Sequence, residues 1–129
     1  MAGNLSDYAE KKLLDHLLGT ASYTMPSTVY LALYISAPTD STSGTEVTGG
    51  SYARQSVAFD AVTSGAGSTT NSANVDFTGM PACTVTAVAV CDQLTSGNIL
   101  VYGTLTTSKT LDAGDILRIS AGDLSISIA

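Results

Sequence analysis

From its N-terminus the chain opens with one stretch of helical periodicity and then turns to alternation of period two. Leu13, Leu14, Leu17 and Leu18 recur on one helical face, with Tyr8 and Ala9 one turn earlier. Lys11, Lys12, Asp15 and His16 populate the other side. Asp7 and Glu10 have capping-box spacing, Ser6 is an equal candidate for the cap, and Gly19 offers a stop. The spacing predicts one helix over residues 5–19. So short a helix is marginal alone, and its leucine stripe must dock on something. The first expectation is the domain's own sheet; the alternative is another subunit, with Leu14 and Leu18 in the contact.

Beyond the helix, residues 28–35 are apolar on both faces: Val29, Leu31, Leu33 and Ile35 are opposed by Tyr30, Ala32 and Tyr34. That suits a central strand covered on both sides. Residues 37–50, with Pro38, Gly44, Gly49 and Gly50 among Ser and Thr, read as a long loop. Strands are predicted at 52–59, 75–77, 84–90 and 99–105, the last two separated by Ser96-Gly97-Asn98. The run TSGAGSTTNSAN before Val75 reads as a soft connection with too few large side chains to build a core. At the C-terminal end, residues 116–120 and 124–128 alternate around Ala121-Gly122-Asp123 and are expected to form a hairpin, with Leu124, Ile126 and Ile128 facing inward. The fold expected is mainly β: one antiparallel β-sandwich or jelly-roll-like domain over 1–129, with the helix at 5–19 and the β-sandwich over 28–129.

Composition narrows the function. The chain has 129 residues, a formal charge of −6, 12% charged and 44% hydrophobic positions, and 34 Ser and Thr. Low charge and frequent Val, Leu and Ile argue against disorder. Five scattered basic residues cannot neutralise a run of phosphates, so no nucleic-acid partner is expected. Charged residues interrupt the first eighteen positions, so no secretion signal is expected there, and no apolar run has bilayer-crossing length. No membrane partner is expected either. Cys83 and Cys91 close the stretch CTVTAVAVC; on one regular strand they would share a face about 27 Å apart, beyond disulfide reach. They read as reduced, buried thiols.

Catalytic chemistry finds few candidates. His16 is the single histidine, on the polar face of the helix, and neither Ser6 nor Ser22 sits in a nucleophile elbow. Asp112, Asp115 and Asp123 fall in turns without the DxDxDG spacing of a calcium loop, and Asp is a turn former in its own right. Asp60 and Asp76 flank strands, but the chain has no Trp to furnish a sugar cleft. GTEVTGG and TSGAGST lack the lysine of a phosphate loop. No catalytic residue, cofactor or metal is expected. Arg54, beside Tyr52 in Gly49-Gly-Ser-Tyr-Ala-Arg-Gln55, is the lone basic residue between Lys12 and Lys109. An ion pair within the domain is the first expectation for it, and an intersubunit pair the functional alternative.

Three stretches together carry a resemblance: Leu5-Ser-Asp-Tyr-Ala-Glu-Lys-Lys-Leu-Leu-Asp-His-Leu-Leu18; Met25-Pro-Ser-Thr-Val-Tyr-Leu-Ala-Leu-Tyr-Ile35 with Ala37-Pro-Thr-Asp40 and Gly49 to Gln55; and Ala113-Gly-Asp115 with Ala121-Gly-Asp-Leu124. On these the chain resembles a family of small tailed-bacteriophage virion structural proteins, labelled as head decoration (cement) or tail fibre proteins. The resemblance implies a virion component that works by assembly and is not an enzyme. The expectation is a cement protein on the capsid surface, assembled in the host cytoplasm, which stabilises the head by bridging subunits of the major capsid protein. By analogy it is a homotrimer, with Arg54, Tyr52, Leu14 and Leu18 as interface candidates. The alternative is a tail, baseplate or tail fibre accessory protein, with a host-receptor-binding module.

Overall fold

The computed structural model describes residues 4–63 and 65–127. In chain order the elements are β1 (Asn4–Leu5), α1 (Asp7–Leu17), β2 (Val29–Ser36), β3 (Thr45–Glu46), β4 (Gln55–Val57), β5 (Ser68–Thr70), β6 (Val75–Met80), β7 (Cys83–Cys91), β8 (Ile99–Leu111), β9 (Asp115–Ile119) and β10 (Ser125–Ser127). The fold is mainly β, antiparallel throughout, with one helix. One sheet runs β1-β8-β7-β2-β3, with β4 also on β2; β6–β9 and β5–β10 form two-stranded ribbons.

As its two apolar faces predict, β2 lies at the centre. Leu31 and Leu33 point into the main core, where Val85, Val88 and Val90 of β7 meet Val75, Phe77 and Met80 of β6, Leu117 of β9 and Leu124. Ala32 and Tyr34 point the other way, into a second cluster with Ala87, Ala89 and Cys91 that Ala37, Ile99 and Tyr102 close. Ile35 leaves this pattern and is exposed, next to the register shift between Tyr34 and Ser36.

The cysteines do not share a face. Cys83 packs with Val85 on the main core, but Val88 and Val90 also point there, while Cys91 faces the second cluster. The cause is a register shift after Val85, where Thr86 alone stands opposite residues 105–108 of β8. Val85 and Ala87, two positions apart, face opposite clusters, so the alternation of β7 reverses at this irregularity. Both thiols are free.

The expected C-terminal hairpin does not form. The turn at 121–123 exists, but β9 pairs with β6 and β10 pairs with β5. Leu124 is buried and Ile126 packs against the core, as alternation predicts; Ile128 lies outside the described residues. The two strands are held apart by Asn71, which comes from the run read as a soft connection. Asn71 is 1% exposed. Its Nδ2 donates to the carbonyls of Ala73 (2.9 Å) and Ser120 (3.0 Å), and its Oδ1 accepts from the amides of Gly122 (3.1 Å) and Leu124 (2.9 Å). One side chain thus replaces the ladder that a hairpin would have supplied.

Candidate functional site

Helix α1 is shorter than 5–19. Leu5 is drawn into β1 opposite Val101, and Ser6 serves as the cap, its Oγ accepting from the Ala9 amide. Ser6 also ties the helix to the end of β8, donating from its amide to Leu100 and from its hydroxyl to Ile99. The helix therefore leans on β8 through half-buried Tyr8, Ala9, Lys12 and Leu13. Packing of the leucine stripe on the domain's own sheet is overturned: Leu14 is 57% exposed, Leu17 68% and Leu18 74%. The anchoring by Ser6 sets the rotation of the helix, and that rotation turns the stripe outward. His16 is exposed, and its Nδ1 accepts from the Tyr23 amide, fixing the turn after the helix.

Arg54 and Tyr52 converge on one carboxylate. Arg54 donates through Nε to Glu46 Oε2 (3.0 Å) and through Nη2 to Oε1 (2.9 Å), a bidentate pair. Its Nη1 donates to the carbonyls of Gln93 (2.9 Å) and Ser96 (2.8 Å). Ser96 is the one non-glycine residue with positive φ among those described, at 55°. Tyr52 donates to Glu46 Oε2 (2.7 Å), accepts from the Leu33 amide (3.0 Å) and stacks on Phe77. It thereby satisfies β2 between the stretches paired with β4 and β3. The guanidinium is tied to its own chain, so the first expectation for Arg54 describes its geometry.

Burial pushes the Glu46 carboxyl up, but the hydrogen bonds from Arg54 and Tyr52 and the Arg54 charge outweigh it and hold the group below its ordinary value. Burial and the Glu46 bond push the Tyr52 phenol far up. A depressed carboxyl stabilises the fold above its unfolded value, about 4.3, and that contribution is lost as pH falls through the folded value. Glu46→Gln is therefore expected to be less stable than the parent at pH 7. Urea midpoints of the two proteins should draw together as the pH falls below the unfolded carboxylate value and through the lowered folded one; a constant gap would refute the assignment.

Next to this network, Tyr34, Ser43, Gly44, Glu46, Arg54 and Ser96 line a cleft of about 310 Å³. It shares Ser43, Gly97 and Ile99 with a smaller hollow of about 180 Å³ beneath Tyr8 and Asp40. The loop above them approaches closely because Gly44, at φ +62°, has no Cβ; one would stand 2.5 Å from the Ser36 carbonyl. Neither hollow joins a nucleophile to a base. Among the described residues, no group of three or more His, Cys, Asp or Glu converges to hold a metal. Asp115 accepts from the Asp112 amide within a turn, and Asp76 pairs across the β6–β9 ribbon with Arg118 (2.7 Å). No helix among the described residues is long and apolar enough to cross a membrane. What the geometry offers is surface: an exposed leucine stripe on a rigidly anchored helix.

The model of the family described as podophage GP4 fiber I protein gp80 matches residues 4–127. The chain belongs to that family, and so to the structural proteins of tailed-phage virions. No curated protein matches the sequence.

Proposed function

We propose that this member of the podophage fiber family is a non-enzymatic tail fibre subunit or accessory that works by assembly, with α1 as its docking element. The observation that carries the proposal is the exposed stripe of Leu14, Leu17 and Leu18. Burying a leucine fully is worth about 1.5–3 kcal/mol, so three leucines roughly two-thirds exposed leave about 3–6 kcal/mol per copy unrealised. That is comparable to the lower end of the association cost, about 4–15 kcal/mol. A single contact is then weak, and repeated copies along a fibre supply the rest through effective concentration.

The family's description as a fiber protein supports the tail over the capsid surface expected first from the sequence. In this reading the partners are further copies of the chain and neighbouring tail proteins; a major capsid protein is the partner only if the molecule decorates the head. Antibody labelling of purified particles tests the location. Label on the tail fibres is the expected result, and label confined to heads would sink the fibre assignment. Leu14→Asp tests the docking element: the isolated protein should lose no more than the helix-propensity cost of Asp, under about 1 kcal/mol, because Leu14 is mostly exposed, while incorporation into particles is lost. A Leu14→Asp protein destabilised beyond that would mean that the helix packs at home.

A further inference from the structure

The irregular stretch of β8 opposite Thr86 opens a cleft of about 370 Å³ between β8 and the chain around β9 and Leu124. Val88 and Leu124 form a buried apolar floor, and half-exposed Leu105 and Ile119 form the walls. Lys109 and Arg118 stand at the rim, two of the chain's five basic residues, against one acid, Asp123. Arg118 already carries Asp76, whereas Lys109 has no ion-pair partner among the described residues.

The exposed helix face has the complementary composition. By helical spacing Asp7, Glu10 and Lys11 share the face of Leu14, Leu17 and Leu18. Lys11 is already paired with Asp15, so among the described residues the N-terminal end of the stripe keeps two free carboxylates and the other end is apolar. Ser6 holds the helix against Ile99 and Leu100, at the opposite end of β8 from Lys109, with the leucines turned away from their own chain. Only another molecule's cleft is oriented to receive them.

We propose that α1 of one copy docks in the β8–β9 cleft of the next, its leucines entering between Leu105 and Ile119 and its acidic end meeting Lys109. The contact joins two different patches of the same chain. It is therefore heterologous and propagates head to tail, closing into a ring or continuing as a filament. It rests on the assembly reading for its setting and names the partner as a second copy. A cleft of this size is at the lower end of ligand-sized pockets, about 300–1,000 Å³, enough for side chains of a helix but not for its backbone.

Sedimentation velocity on the purified full chain at low salt, over rising concentration, tests this. The parent should form species beyond the dimer that weaken in high salt. Leu14→Asp/Leu17→Asp, which blocks the helix, and Thr107→Glu/Lys109→Glu, which blocks the rim, should each be monomeric and still folded; all four positions are exposed, so neither variant disturbs the core. Mixed together, the two should form a one-to-one pair and nothing longer, since one retains an intact cleft and the other an intact helix. A rim variant that still assembles as the parent does would show helix pairing with helix and overturn the proposal. So would a parent that stays monomeric, or a mixture that does not pair. A chain that is monomeric alone yet labels the tail fibres would remove this contact and leave fibre membership standing. A chain that assembles head to tail but is missing from fibres would do the reverse.

Discussion

Asn71→Leu is expected to destabilise the protein by about 4 kcal/mol, a large share of the roughly 5–15 kcal/mol that holds an ordinary domain together. Leu keeps the branching of Asn but is bulkier, so at this buried site the loss combines the four hydrogen bonds with some overpacking. The four bonds are not equivalent. The Gly122 amide still reaches the Asn71 backbone carbonyl, and the Ser120 carbonyl still accepts from Asp123. The Leu124 amide and the Ala73 carbonyl keep no other partner among the described residues. The stranded Leu124 amide, at a buried residue, costs about 1–3 kcal/mol, whereas Ala73 is exposed and water can take over its carbonyl, so that bond and the two merely lost add about 1 kcal/mol each at most. Urea denaturation with a fixed slope measures the difference. A shift under about 1 kcal/mol would mean that the 120–124 segment holds its place without this side chain.

Arg54→Met should have the next largest effect, about 2–3 kcal/mol. Removing one partner of a buried ion pair typically costs about 3–5 kcal/mol because the other charge is left uncompensated. Here the side chains are 11% and 25% exposed, so water screens part of that loss. Arg54→Met/Glu46→Gln, which leaves no orphaned charge, should recover part of the stability. A second readout is local. Without the guanidinium, the carbonyls of Gln93 and Ser96 lose their common donor, and Ser96 can leave its left-handed conformation. Amide exchange in residues 92–98 should then accelerate more than exchange in β2. Uniform acceleration would place the effect in global stability alone.

The elements that could be read from sequence are those whose signal is local. Residues 28–35 announce a central strand because both faces are apolar, and the helix is announced by its leucine spacing. Neither signal contains a partner. The rotation of α1 follows from Ser6 meeting Ile99, more than ninety positions away, and no local pattern encodes it. The alternation at 116–120 and 124–128 is equally compatible with a hairpin and with two separate ribbons; Asn71 decides, and a lone Asn in a Ser/Thr-rich run carries no periodic signature. For the same reason β5 was not visible, since Ser68, Thr69 and Thr70 lack large apolar side chains. At the Arg54 network, the arginine stands out by its isolation, whereas Glu46 sits in a polar loop with no local sign of its partner. A tailed-phage virion structural family is legible because ordered stretches across most of the chain carry it; head or tail is a finer assignment than those stretches specify, and the sequence reading put the head first.

The reversal of alternation in β7 gives the molecule two thiols with different exposure. Cys83 is partly accessible, whereas Cys91 is buried in a cluster with Tyr34 that Ala37, Ile99 and Tyr102 close, and burial pushes its thiol up. A thiol reagent will therefore modify Cys83 from the native state and Cys91 only from molecules in which that cover has lifted. The ratio of the two labelling rates reads the population in which this cover has opened, with Cys83 as the internal clock. Measured on the free protein and on purified virions, it tells whether neighbours clamp that cover or leave it to breathe.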